Sequence, residues 1–230
     1  MRLLDGTHYP HNIATYAFGI GAVFGVGFSI LTMLGPRSDW FWMGVFVTAL
    51  AVFHIAEYLV TAMYNYPKLS LESFLIPHSK SYTAANTVAV VEYIVYLAWF
   101  PWITASIPTT VRLSGFFLIL VGQFMRSYSM IHAGTNFSHQ IEYHKRRTHE
   151  LVTSGPYALM RHPSYFAFYW WGIGSQLLLG NPVSLVGYAL ALTWFFKERI
   201  EYEEQLLVHF FGDEYIAYRK RVGVWIPFTG

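Results

Sequence analysis

The chain has 230 residues, 54% hydrophobic and 19% aromatic but only 12% charged. A soluble domain carries about 25% charged residues, so most of this surface faces something other than water. A formal net charge of +2 is too small for a nucleic-acid footprint, and the absence of cysteine excludes disulfides, thiolate metal sites and a cysteine nucleophile.

Roughly 20 apolar residues cross a bilayer. After the polar "MRLLDGTHYPHN", residues 13–34 form a first apolar run. It lacks a small-residue cleavage site and reads as a retained span rather than a signal peptide. Its Gly21-Ala-Val-Phe-Gly25 step is suited to close helix contact. Residues 40–63 form a second span, and residues 84–106 a third, bent or broken at Pro101. A fourth, residues 111–132, has arginines near both ends. Residues 165–179 and 183–196 are shorter and separated by the turn signal "GNP", which predicts a tight helical hairpin. The expected fold is an all-α integral membrane protein of about six transmembrane helices, with residues 1–132 as a four-helix region and residues 133–230 as a catalytic region.

Charge sets the orientation. With the N-terminus in the cytosol, every Lys and Arg except Arg37 and Arg112 falls on the cytosolic side. Residues 133–164 and 197–230 then share that side.

Three groups of residues can carry chemistry. In "THELVTSGPYALMRHPSYFAF", Arg161 and His162 precede Pro163, which opens the fifth helix. Free amides at a helix start favour anionic ligands; the spacing alone favours a basic anchor at the membrane border, with Tyr165 in an aromatic belt. In "FFKERIEYEEQLL", Arg199 and Glu203 share a face, as do Lys197 and Glu201. Arg199 can clamp a carboxylate while Glu203 meets a cationic or hydroxylated group; a solvated helix laced with ion pairs is the alternative. His54, Glu57 and Glu92 are ionisable groups inside spans, facing a cavity or bonded to a neighbouring helix. The histidines at 132, 139, 144 and 149 lack metal-site spacing, and no metal is expected.

Taken together, "HELVTSGPYALMRHPSYFAFYWWGIGSQLLLGNP" and "ERIEYEEQLLVHFFGDEYIAYRKRVGVWIPF", with "FHIAEYLVTAMYN" and "SLESFLIPHSKSY" upstream, resemble the isoprenylcysteine carboxyl methyltransferase family of the endoplasmic reticulum membrane. The combination of R-H-P-x-Y, R-x-x-x-E-E and the Tyr-rich tail carries the likeness. The resemblance implies methyl transfer from S-adenosylmethionine to the C-terminal carboxylate of a prenylated cysteine, with prenylated C-a-a-X proteins such as Ras-like GTPases and membrane lipid as partners. It also implies that His149, Glu150, Leu151, Val152, Tyr157, His162, Pro163, Ser164, Tyr165 and Glu203 border the cofactor, with Glu203 and Arg199 as the catalytic pair and Arg199 holding the substrate carboxylate. Glu142 stands where relatives can present an amide-bearing Gln to the cofactor. The alternatives are a membrane methyltransferase acting on another small lipid or phospholipid amine, a sterol-reductase-like membrane enzyme, or a non-enzymatic scaffold or transporter.

Overall fold

The computed structural model describes residues 8–76 and 80–229. Arg2 of the charge count, and residues 77–79 of "SLESFLIPHSKSY", lie outside the described residues. Nine α-helices and three short 3-10 turns are present among the described residues, and no strand. The helices are α1 (Pro10–Leu34), α2 (Asp39–Tyr64), α3 (Lys80–Trp99), α4 (Pro101–Ser106), α5 (Thr109–Ala133), α6 (Pro156–Leu159), α7 (Pro163–Leu179), α8 (Pro182–Phe211) and α9 (Asp213–Arg221). All six expected apolar segments are helical. Pro101 breaks the third as anticipated: it has no amide proton for the ladder, so α3 stops at Trp99 and α4 restarts. By length and composition, α1 and α2 are sufficient to cross a membrane. At 17 residues, α7 is shorter than a typical span.

Large apolar side chains face outward on these helices: Phe18 is 80% exposed, Met33 82% and Leu190 69%. The buried layer lies between α2, α3, α5 and α7, where Phe46, Phe53, Tyr93, Ile119, Trp171 and Leu178 form one cluster. Glycine lets α5 and α7 approach closely. A Cβ on Gly115 would lie 2.6 Å from the Gly174 carbonyl oxygen, and one on Gly174 would lie 2.7 Å from that of Gly115. The expected Gly21–Gly25 contact is not formed, since a Cβ at either position meets nothing within 4 Å. Ile20 and Gly27, seven residues apart, are the buried positions of α1, so the inward face is offset from that step. Gly27 is the close-contact residue: a Cβ there would sit 2.7 Å from Thr48 Oγ1 on α2.

The α7–α8 hairpin turn is fastened by polar contacts with α3 and α5. Glu92 of α3 accepts hydrogen bonds from the Val183 and Ser184 amides at 2.9 and 2.7 Å. Arg112 of α5 donates to the Leu178 and Leu179 carbonyls at 3.1 and 3.0 Å. Asn181 donates to the Ala89 carbonyl at 2.9 Å. A carboxylate at a helix start and a guanidinium at a helix end satisfy groups that no helix can satisfy internally. Glu92 therefore bonds to a neighbouring helix, and Arg112 is buried rather than a border charge. Arg126, counted as a border charge by sequence, is likewise buried.

At the other end of the hairpin, the chain after α9 folds back over α7 and α8. Val224 and Ile226 pack there with Tyr165, Tyr169, Ile173, Phe196 and Ile200. Residues 137–155, with no regular structure, close the remaining side.

Candidate active site

Proline shapes the turn at the base of α7. Gly155 takes φ +58, and Pro156 and Pro163 open α6 and α7 at their first positions. A Cβ on Gly155 would also strike the His132 ring at 2.6 Å. Between them, Arg161 is held by the returning tail: its amide donates to the Gly223 carbonyl at 2.9 Å, and its guanidinium to the Val222 carbonyl. Arg161 Nε donates to Glu204 Oε1 at 2.7 Å, and His162 Nε2 donates to the same oxygen at 3.2 Å. Burial alone would raise the Glu204 carboxyl, but hydrogen bonds from His162 and Arg161, with their charges, hold it at about 2.

The next turn carries Tyr165. Its ring stacks on His162 at 5.4 Å between centroids, within 2° of parallel, and on Phe196 at 5.2 Å. Its hydroxyl donates to Glu203 Oε2 at 2.6 Å and accepts from Arg199 Nε at 2.8 Å. Arg199 Nη2 donates to the His139 carbonyl at 2.6 Å. The expected i,i+4 contact of Arg199 with Glu203 is thus routed through a tyrosine of the neighbouring helix. Lys197 and Glu201, the other expected pair, are both exposed.

These elements surround one cavity, whose empty volume is about 850 Å³ including the solvent at its mouth. Glu142, His149, Glu150, Leu151, Val152, Tyr157, His162, Pro163, Ser164, Tyr165 and Glu203 all line it. Arg199 does not, and reaches the wall only through Tyr165. Glu142 pairs with Lys68 from the segment after α2. Burial, and then the charges of Arg146, Lys68 and Lys145, hold the His149 imidazole down at about 4. His149 is therefore neutral at physiological pH, and its buried Nδ1 makes no hydrogen bond within the protein. No cluster of three or more His, Cys, Asp or Glu among the described residues could hold a metal.

Comparison with known proteins places the chain in a family. Residues 114–209 match the model of the isoprenylcysteine carboxyl methyltransferase family. The protein-S-isoprenylcysteine O-methyltransferase of Homo sapiens is 42% identical over 219 residues, covering 95% of this chain and 75% of that protein. The enzyme of the same name from Saccharomyces cerevisiae is 42% identical over 222 residues, covering 95% of this chain and 91% of its own. The chain belongs to the isoprenylcysteine carboxyl methyltransferase family. A solved structure of the eukaryotic intramembrane Ras methyltransferase of this family superposes with a TM-score of 0.89 at 36% identity, over 95% of this chain and 77% of that one. The fold is accordingly the all-α membrane-enzyme fold of isoprenylcysteine carboxyl methyltransferases.

Sequence reading alone misses Glu204, the tail contacts of Arg161, and Tyr215 and Tyr218, which also line the cavity. Adjacent helical positions point about 100° apart, so Glu203 accepts from Tyr165 and Glu204 from Arg161, with His162 against both, and one sequence cannot say which faces the cavity. The Tyr218 hydroxyl donates to the Tyr157 carbonyl at 2.5 Å, a contact between segments 61 positions apart that leaves no local signal.

Proposed function

We propose that this chain transfers a methyl group from S-adenosylmethionine to the C-terminal carboxylate of a prenylated cysteine, on C-a-a-X proteins that have been prenylated and trimmed, Ras-like GTPases among them. The observation that carries the reading is the Tyr165 hydroxyl, which joins Arg199 to Glu203 at the edge of the cavity. When bound, S-adenosylmethionine supplies a methyl group already activated on a sulfonium.

The residues present suit such a ligand. Glu150 and Glu203 place carboxylates on the wall that suit a cation, Glu142 being paired with Lys68, while the unpartnered His149 Nδ1 offers a neutral polar contact. The turn from Tyr157 to Tyr165, with Leu151 and Val152, would hold its flat and apolar parts. A prenylcysteine carboxylate, with a reference pKa near 3.5, is ionised at neutral pH, so no general base is called for. The work left to the protein is alignment and exclusion of water. With Nε on Tyr165 and one Nη2 proton on His139, the Nη1–Nη2 edge of the Arg199 guanidinium can grip a carboxylate at two points.

In this reading six helical segments cross the endoplasmic reticulum membrane, and residues 133–230 supply the catalytic groups on the cytosolic side. Each buried methylene contributes about 0.8 kcal/mol, so the prenyl chain stays in lipid while its carboxylate reaches the border. The test is labelled methyl transfer by purified protein in detergent to N-acetyl-S-farnesylcysteine, as free acid and as amide. Transfer to the free acid alone is expected. No transfer, or equal transfer to both, overturns the reading.

A further inference from the structure

The cavity does not account for a buried ion pair between α2 and α5. Glu57, on α2, is 1% exposed, and Arg126, on α5, is 6% exposed. Arg126 Nε and Nη2 donate to the two Glu57 oxygens at 2.8 and 3.0 Å, a two-point pair. Arg126 also reaches forward, where Nη1 donates to Ser164 Oγ at 2.6 Å and lies 3.3 Å from the Ser164 carbonyl. The guanidinium is sandwiched by Phe137 and Phe168, with ring centroids 5.7 and 5.6 Å away. Glu57 has a second partner, His139, whose Nε2 donates to Oε2 at 2.8 Å. The backbone carbonyl of that same His139 holds Arg199.

One carboxylate thus reaches both halves of the proposed site along separate routes. Glu57 to Arg126 to Ser164 ends in the turn that lines the cavity. Glu57 to His139 to Arg199 ends at the proposed carboxylate clamp. A buried ion pair gives little net stability against an apolar replacement. A pair that also fixes two loops relative to each other has a geometric use, because displacement of about 1 Å between reacting partners can cost on the order of 100-fold in rate.

We propose that Glu57 is a positioning residue for methyl transfer, setting the Ser164 turn through Arg126 and the Arg199 guanidinium through the His139 ring and carbonyl. The proposal rests on the functional reading above and adds a role for a residue outside the cavity wall.

Deleting the Glu57 charge would strand Arg126 in the interior and could unfold the chain, so the test works from the other end. His139→Leu removes the donor to Glu57 but leaves the Glu57–Arg126 pair intact. His139→Gln keeps an N–H donor at similar reach. Turnover and KM for N-acetyl-S-farnesylcysteine, S-adenosylhomocysteine affinity and thermal midpoint are measured for both and for the parent in detergent. His139→Leu is expected to lower kcat/KM for the prenylcysteine on the order of 10- to 100-fold, with S-adenosylhomocysteine affinity within about threefold and an unchanged midpoint, while His139→Gln recovers most of the loss. Glu57→Asp, which keeps the charge and withdraws it by one methylene, is expected to lower both turnover and S-adenosylhomocysteine affinity. Equal activity of His139→Leu and parent, or a Gln variant as impaired as the Leu variant, overturns the proposal. A parent that transfers no methyl group sinks the functional reading instead.

Discussion

The Tyr165 hydroxyl donates to Glu203 at 2.6 Å while accepting from Arg199 at 2.8 Å, so the acid and the base of α8 meet across a residue of α7. Tyr165→Phe removes that junction and keeps the ring stacked on His162 and Phe196. We expect turnover to fall on the order of 10- to 100-fold with the thermal midpoint nearly unchanged. A Phe variant with parental kcat/KM would show that the hydroxyl does not align the two charged groups.

Arg199→Lys replaces a planar fork by a point charge. An ammonium cannot hold Tyr165, the His139 carbonyl and a two-point carboxylate together. The expected result is loss of most turnover, carried by a higher KM for the prenylcysteine, in a protein that still inserts and elutes as the parent does. Near-parental turnover would remove Arg199 from the site.

Glu204 gives a pH signature. Its folded-state pKa of about 2 lies below the ordinary 4.5, so its contribution is complete above pH 4.5 and disappears as pH falls toward 2. Glu204→Gln should therefore unfold at a lower temperature at neutral pH, and the gap to the parent should narrow as pH falls from about 4.5 toward 2. A gap independent of pH would mean that the Arg161 and His162 contacts do not stabilise the tail.

Glycine substitutions separate contact from composition. Gly115→Ala puts a methyl against the backbone of α7 and should sharply reduce the yield of folded protein, whereas Gly25→Ala should be neutral, since nothing lies within 4 Å. Size-exclusion profiles in detergent distinguish the two; a well-folded Gly115→Ala protein would contradict the close α5–α7 packing.

Much of this was legible in the sequence because hydrophobic length and proline placement act locally. The six apolar segments, the break at Pro101 and the tight hairpin follow from those signals. The turn around Arg161 and His162, and the segment from His149 to Val152, could be paired with α8 only by resemblance. What stayed hidden depends on which way a helix faces. Gly21 and Gly25 have the right spacing for a contact, yet Gly27 makes it. Glu92 and Glu57 look alike as buried acids, but one caps a helix start and the other pairs with an arginine and a histidine from elsewhere in the chain.

The 30 residues of α8 run without interruption from the hairpin turn to Phe211. At about 1.5 Å per residue that is a rod of about 45 Å, longer than a hydrocarbon slab of about 30 Å. Glu203 lies on the last third of it, and Arg199 about one turn before. Where α8 crosses the bilayer, as proposed above, a bilayer that thickens or thins tips such a rod and carries the state of the surrounding lipid to the residues proposed to align methyl transfer.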